Sequence, residues 1–188
     1  MGNDREAGLV AIPNDVLTFW RNAGPEKWFA KTARFDEAIR IRFEPVHHMA
    51  ARGEYDEWGL TPEGALALVI LLDQFPRNLY RDSGHAFATD GKARAVARAA
   101  TDRGWHKVLD PDLRSFLLKP FQHSEDLVQQ DRGLILAMEL GDVELLKWAK
   151  IHHEIIARFG RFPHRNPVLG RETTADEHRF LNEGGFRG

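Results

Sequence analysis

The chain has 188 residues, 26 Lys and Arg against 28 Asp and Glu, a net charge of −2 and no cysteine. That length fits one domain with a sizeable core and no need of covalent staples. Thiol catalysis, disulfides and Cys-ligated zinc are excluded, and the charge balance argues against a nucleic-acid coat.

The first fifteen residues carry charges and a proline but no apolar stretch of signal-peptide length. Gly2 lacks the Ser or Thr of a myristoylation signal. The longest apolar run, Ala65 to Leu72, is far short of the roughly 20 residues that span a bilayer. A soluble cytoplasmic protein is expected. It would form one all-helical domain over 1–188, with a core over 15–182 and loose termini at 1–13 and 183–188.

Asn14 or Asp15 is the expected cap of a first short helix carrying Val16, Leu17, Phe19 and Trp20, stopped by Gly24-Pro25. Phe35, Ile39, Phe43, Val46 and Ala50 recur at helical spacing and predict a helix from about Arg34 to Arg52, with a kink at Pro45 and Gly53 past its end. Thr61-Pro62 opens a third helix, apolar on every side and hence buried, expected to end at Phe75-Pro76. A fourth runs from about Thr89 to Arg103. A fifth starts at Asp110-Pro111 and ends near Pro120. Ser124 is taken as the cap of a sixth. Gly141-Asp142 marks a tight helical hairpin into a seventh, with Leu145, Trp148, Ile155 and Ile156 on one stripe and His152 in its middle. Thr174 caps a last short helix ending near Leu181. No alternating strand pattern is found, so the fold class is all-α, antiparallel helical hairpins, about seven to eight helices.

Chemistry concentrates in three segments. In the first, LLDQFPRN, Asp73 sits at the end of a buried helix and needs a partner, which Arg77 supplies, with Asn78 beside it. In the second, PFQHSEDL, His123 is paired with Glu125, a carboxylate able to tune it. The third, from Ile156 to Arg171, holds Arg158, Arg161, His164, Arg165, Asn166 and Arg171 with no acid among them, a set suited equally to phosphate or carboxylate and to internal pairing with Asp73, Glu125 and Asp126.

Together with VLTFW near the start and WFAK at 28–31, these segments resemble the bacterial "domain of unknown function 924" proteins, from about Val16 to Leu181. The resemblance implies an all-α fold of helical hairpins grouped with tetratricopeptide-like arrays, and no activity. Its motif positions are Asp73, Gln74, Arg77, Asn78, His123, Ser124, Glu125, Arg158, Arg161, His164, Arg165 and Asn166.

The expectation is a polar pocket binding a small anionic metabolite or a carboxylate-bearing peptide end. Its residues are Asp73, Arg77, Asn78, His123, Glu125, His152, Arg158, Arg161, His164, Arg165 and Asn166. Two alternatives stand beside it. One is a hydrolase or lyase using His123 or His164 as general acid/base with Glu125 orienting. The other is a scaffold module with an exposed apolar patch around Trp28, Phe29 and Trp58. No cofactor, metal, nucleic acid or membrane is assigned, and a homo-oligomer is left open.

Overall fold

The computed structural model describes residues 11–188. The expectations on the first ten residues, including Gly2, lie outside it. The described residues are helical, with no strand. Helix α1 (Pro13–Ala23) starts with Pro13 in its first turn. Asp15 is not the cap but sits at the third helical position, where its carboxylate accepts from the Ile12 N–H. Gly24, at φ 73°, stops α1, and Pro25 opens the single turn α2 (Pro25–Trp28). Helix α3 (Ala33–Arg52) passes through Pro45 without interruption. Pro45 lies on the solvent side, where water can take the carbonyl it leaves free.

Helix α4 (Pro62–Val69) is capped by the Thr61 hydroxyl, which accepts from the Gly64 N–H at 3.1 Å, and its buried residues surround the axis. The chain does not stop at Phe75-Pro76. The helix widens into a π turn at Ile70–Gln74, closed by a bond from the Phe75 N–H to the Ile70 carbonyl, and continues as α5 (Phe75–Leu79). Proline denies its N–H to the carbonyl four residues back and crowds it. The wider turn relieves the crowding, and side chains from elsewhere take the released carbonyls. Thr89 Oγ1 donates to Leu72 O at 2.5 Å, His47 Nδ1 lies 2.8 Å from Leu71 O, and Arg77 donates to Asp73 O.

Helix α6 (Asp90–Asp102) follows as expected. The expected fifth helix is instead a run of 3-10 turns, Arg114–Leu118, leading into the short α7 (Lys119–Gln122); Pro120 lies inside it rather than ending it. Helix α8 (Leu127–Leu140) is capped by Asp126, not Ser124. The Asp126 carboxylate accepts from the Val128 N–H at 2.9 Å, while the Ser124 hydroxyl accepts from the Asp126 N–H. Gly141 and Asp142 make the tight turn into α9 (Val143–Phe159), and Thr174 with Glu177 forms a capping box on α10 (Ala175–Asn182).

The main core centres on α4 and the π turn, with Trp20, Phe75, Phe116 and Phe121 fully buried around them. A satellite cluster of Ile155, Ile156 and Phe162 packs beneath α9 and α10, joined by Phe159, Phe180 and Phe186. Phe186 belongs to the segment 183–188, expected to be loose. Of the three aromatics expected at a surface patch, Trp58 is buried and Trp28 is half-buried, its indole N–H bonded to Trp20 O; Phe29 is exposed. No helix among the described residues is long and apolar enough to cross a membrane.

Candidate functional site

The π turn carries Asp73 into the core, where it is fully buried. Both of its oxygens lie 2.9 Å from His123 Nδ1, and Oδ2 accepts from Gln74 Nε2 at 2.6 Å. Arg77 Nη1 stands 3.4 Å from Oδ1. Burial alone would raise the carboxyl. Arg77, His123 and Gln74 more than offset it and hold Asp73 well below the usual carboxylate range. An ionised carboxylate only accepts, so the proton shared with His123 sits on Nδ1 and the imidazole is neutral. Burial and the neighbouring Arg77 push the His123 pKa down to about 4, in spite of Asp73.

Arg77 makes its stronger pair elsewhere, with Nη1 and Nη2 donating to the two oxygens of Asp90 at 2.9 and 3.0 Å. Asp90 stands in the first turn of α6, so the pair ties α5 to α6. Arg165 reaches the same carboxylate from the other side, at 4.0 Å. Its guanidinium carbon lies over both the Phe87 and Phe162 rings, 4.5 Å from each centroid. The residue is 7% exposed, and its Nε has no hydrogen-bond partner among the described residues. Burial, then Arg77, lowers its pKa to about 10.

Three imidazoles close the cluster. His152, from the apolar stripe of α9, is 6% exposed, and neither ring nitrogen has a partner among the described residues. Its ring lies 6.3 Å from that of His123 and 5.5 Å from Phe162. Burial, then the His123 and Lys119 charges, pushes its pKa down to about 2. His164 lies 5.6 Å from Phe162 with Nδ1 likewise unpartnered, and burial with Arg165 lowers it to about 4. Lys119 is also lowered by burial. Two carboxylates, Asp73 and Asp90, thus face two guanidiniums, an ammonium and three imidazoles, several of whose buried nitrogens bond to nothing described.

Of the expected residues, Asp73, Arg77, His123, His152, His164 and Arg165 come together. The others serve neighbouring contacts. Asn78 donates to Asp36 at 2.8 Å, and Asp36 also pairs with Arg81. Glu125 accepts from the Phe162 N–H at 2.8 Å and takes Arg171 bidentately, so it anchors the third segment to the second. Arg161 pairs with the buried Glu177, to which Asn166 also donates. Arg158 lies over the Phe159 and Phe180 rings at the surface. No group of three or more His, Asp or Glu side chains among the described residues is arranged to hold a metal ion.

Sequence reasoning missed Asp90, Phe87, Phe162 and Phe186. Asp90 looks like an ordinary acid at a helix start, and the aromatics carry no local signal of what they stack on. The cluster is also less open than expected. Two surface hollows, one of about 600 Å3 between α6 and α8 and one of about 220 Å3 between α9 and α10 that reaches Phe186, are lined by none of its residues.

No curated protein matches the chain. A solved structure of a protein of unknown function from Agrobacterium tumefaciens is 47% identical and superposes with a TM-score of 0.88, covering 92% of this chain and 97% of the other. The model of a family described as bacterial protein of unknown function (DUF924) matches residues 16–185. The chain belongs to that bacterial family, DUF924.

Proposed function

We propose that the protein binds a small anion, the carboxylate or phosphate of a cytoplasmic metabolite, at the cluster of Arg165, His123, His152 and His164. The observation that carries this reading is the set of buried nitrogens without partners: Nε of Arg165, both ring nitrogens of His152 and Nδ1 of His164. Burying such polar nitrogens unsatisfied costs about 1–3 kcal/mol each, and a bound anion satisfies those that donate: Nε of Arg165 and the one N–H of each neutral imidazole. Arg165 lies against two aromatic rings, which restrict its rotamer and preorganise its unpaired Nε for an oxyanion.

A thermal-shift screen of carboxylates and phosphate esters tests the reading. A true ligand at 100 times its Kd stabilises by about 2.7 kcal/mol. Arg165→Lys should abolish that gain. Stabilisation by the same compounds at full strength in that variant would place the ligand elsewhere.

The Asp73–His123 pair favours a second reading. A carboxylate that fixes the Nδ1–H of an imidazole leaves Nε2 as a base, the arrangement a hydrolase or lyase uses to activate water or remove a proton. A screen of phosphate esters and amides tests it. Turnover that survives His123→Ala would exclude His123 as the base.

A further inference from the structure

Beyond α10 the chain turns through Gly184, at φ 89°, and lays Phe186 across the imidazole end of the cluster. The Phe186 ring centroid lies 4.8 Å from that of His152, 5.2 Å from His164 and 6.0 Å from Trp148. The backbone stays close beyond it: a Cβ on Gly188 would stand 3.1 Å from His164 Cδ2. Little holds the segment in place. Gly185 N–H donates to Phe180 O, and Arg187 donates to Leu181 O in an exposed bond. Phe186 is half-buried and also lines the hollow of about 220 Å3, with Ile151, Ile155, Phe159 and Phe180 and, at its charged part, Glu154 and Arg158. A displaced benzyl group has an apolar place to go.

Beneath Phe186, both nitrogens of His152 and Nδ1 of His164 are unpartnered among the described residues. Both imidazoles contact the ring of Phe162, and Arg165 stacks on that same ring. An aromatic box and an unsatisfied cationic edge are therefore one side chain apart, and the chain's own phenyl ring fills the box while nothing described fills the edge.

We infer that the site takes an aryl-substituted short-chain carboxylate, whose ring replaces that of Phe186 between Trp148, His152 and His164 and whose carboxylate is received by His152, His164 and Arg165. This rests on the anion reading above and narrows it. A phenyl ring suits the box because imidazole and indole edges and faces pack against it in tilted and perpendicular arrangements, as they already do against Phe186. The charge supplies what Phe186 cannot, and Phe186 acts as a competing internal occupant.

The test measures binding of 3-phenylpropanoate, 3-phenylpropan-1-ol, propanoate and inorganic phosphate to the full chain and to Phe186→Ala. The readouts are titration calorimetry and the imidazole Cε1–H resonances of His152 and His164. The expected result is that phenylpropanoate binds Phe186→Ala at least tenfold tighter than the parent chain. It should also exceed both the alcohol and propanoate at least tenfold and shift both imidazole resonances. A Phe186→Leu variant, which keeps the apolar contact, repeats the measurement if the alanine variant does not fold. Affinity equal to that of propanoate or phosphate, or unchanged by removal of Phe186, overturns the aromatic inference and leaves the anion reading standing. Binding of the alcohol as tightly as the acid, with no anion shifting the two imidazoles, overturns both.

Discussion

Lowering the pH from 7.5 to 5.5 should remove about 4 kcal/mol of folding stability, and the cause lies in the same three imidazoles. His123 and His164 are held neutral with pKa values of about 4, and His152 with one of about 2. Each titrates near 6.5 once the chain unfolds. Below that value the unfolded chain binds three protons that the folded chain refuses at these sites, and His47 and His106, also lowered by burial, act in the same direction, so stability rises with pH and falls on acidification. Each group then contributes about 1.4 kcal/mol per pH unit in the window from 6.5 down to its folded value, which gives about 4 kcal/mol for the three across the chosen range. Of the carboxylates, Asp90 is raised by burial in spite of Arg77 and so opposes the loss where it begins to protonate. Asp73 and Glu177 are held below their ordinary values, so their contributions are lost at more acid pH, as the unfolded carboxyls begin to protonate. Urea unfolding followed by tryptophan fluorescence at the two pH values, with the m-value as a check on two-state behaviour, measures the difference. His152→Asn should reduce it by about 1.4 kcal/mol. A loss below about 1 kcal/mol in the parent chain would refute the reasoning, because it would mean the imidazoles take up protons without unfolding.

Four substitutions test the framework of the fold. Asp73→Asn keeps the shape but removes the charge facing Arg77 and His123, and should cost about 3–5 kcal/mol in urea unfolding; a cost under 1 kcal/mol would show that Asp90 alone satisfies Arg77. Thr89→Val strands the Leu72 carbonyl that Pro76 cannot serve and should cost about 1–3 kcal/mol, with hydrogen exchange rising first over residues 70–79. Gly64→Ala and Gly91→Ala should move stability in opposite directions although both glycines are helical. A Cβ at Gly64 would stand 2.1 Å from the Trp58 carbonyl oxygen, whereas one at Gly91 meets nothing within 4 Å, so the second should stabilise by about 0.5–1 kcal/mol.

What was legible in the sequence was what local chemistry decides. Thr61-Pro62, Gly53, the Gly141-Asp142 junction and the Thr174 box each satisfy their own backbone groups within a few residues, so their types and spacing suffice. Pro76 misleads for the opposite reason. Its helix continues because Thr89 and His47, 17 and 24 residues from their acceptors, take carbonyls that a local reading leaves unsatisfied. Ser124 and Asp126 compete for one cap on equal local terms. The choice is made by Gln130, which holds the carbonyls of Gln122 and Ser124 and so fixes where the turn ends.

The candidate site divides along the same line. Residue types foretold that Arg and His would gather where proline breaks helices, and six of the named side chains do gather. They could not foretell which arginines would be satisfied by acids remote in sequence. Glu177 takes Arg161, Glu125 takes Arg171 and Asp90 takes Arg77, each through two guanidinium nitrogens. Arg165 is left with a single contact at 4.0 Å and two aromatic faces. Stacking fixes a guanidinium without neutralising it, and a guanidinium so placed, beside imidazoles that burial keeps uncharged, is stabilised by the arrival of a negative charge. The acids withheld from Arg165 therefore say more about function than the arginines the sequence displays.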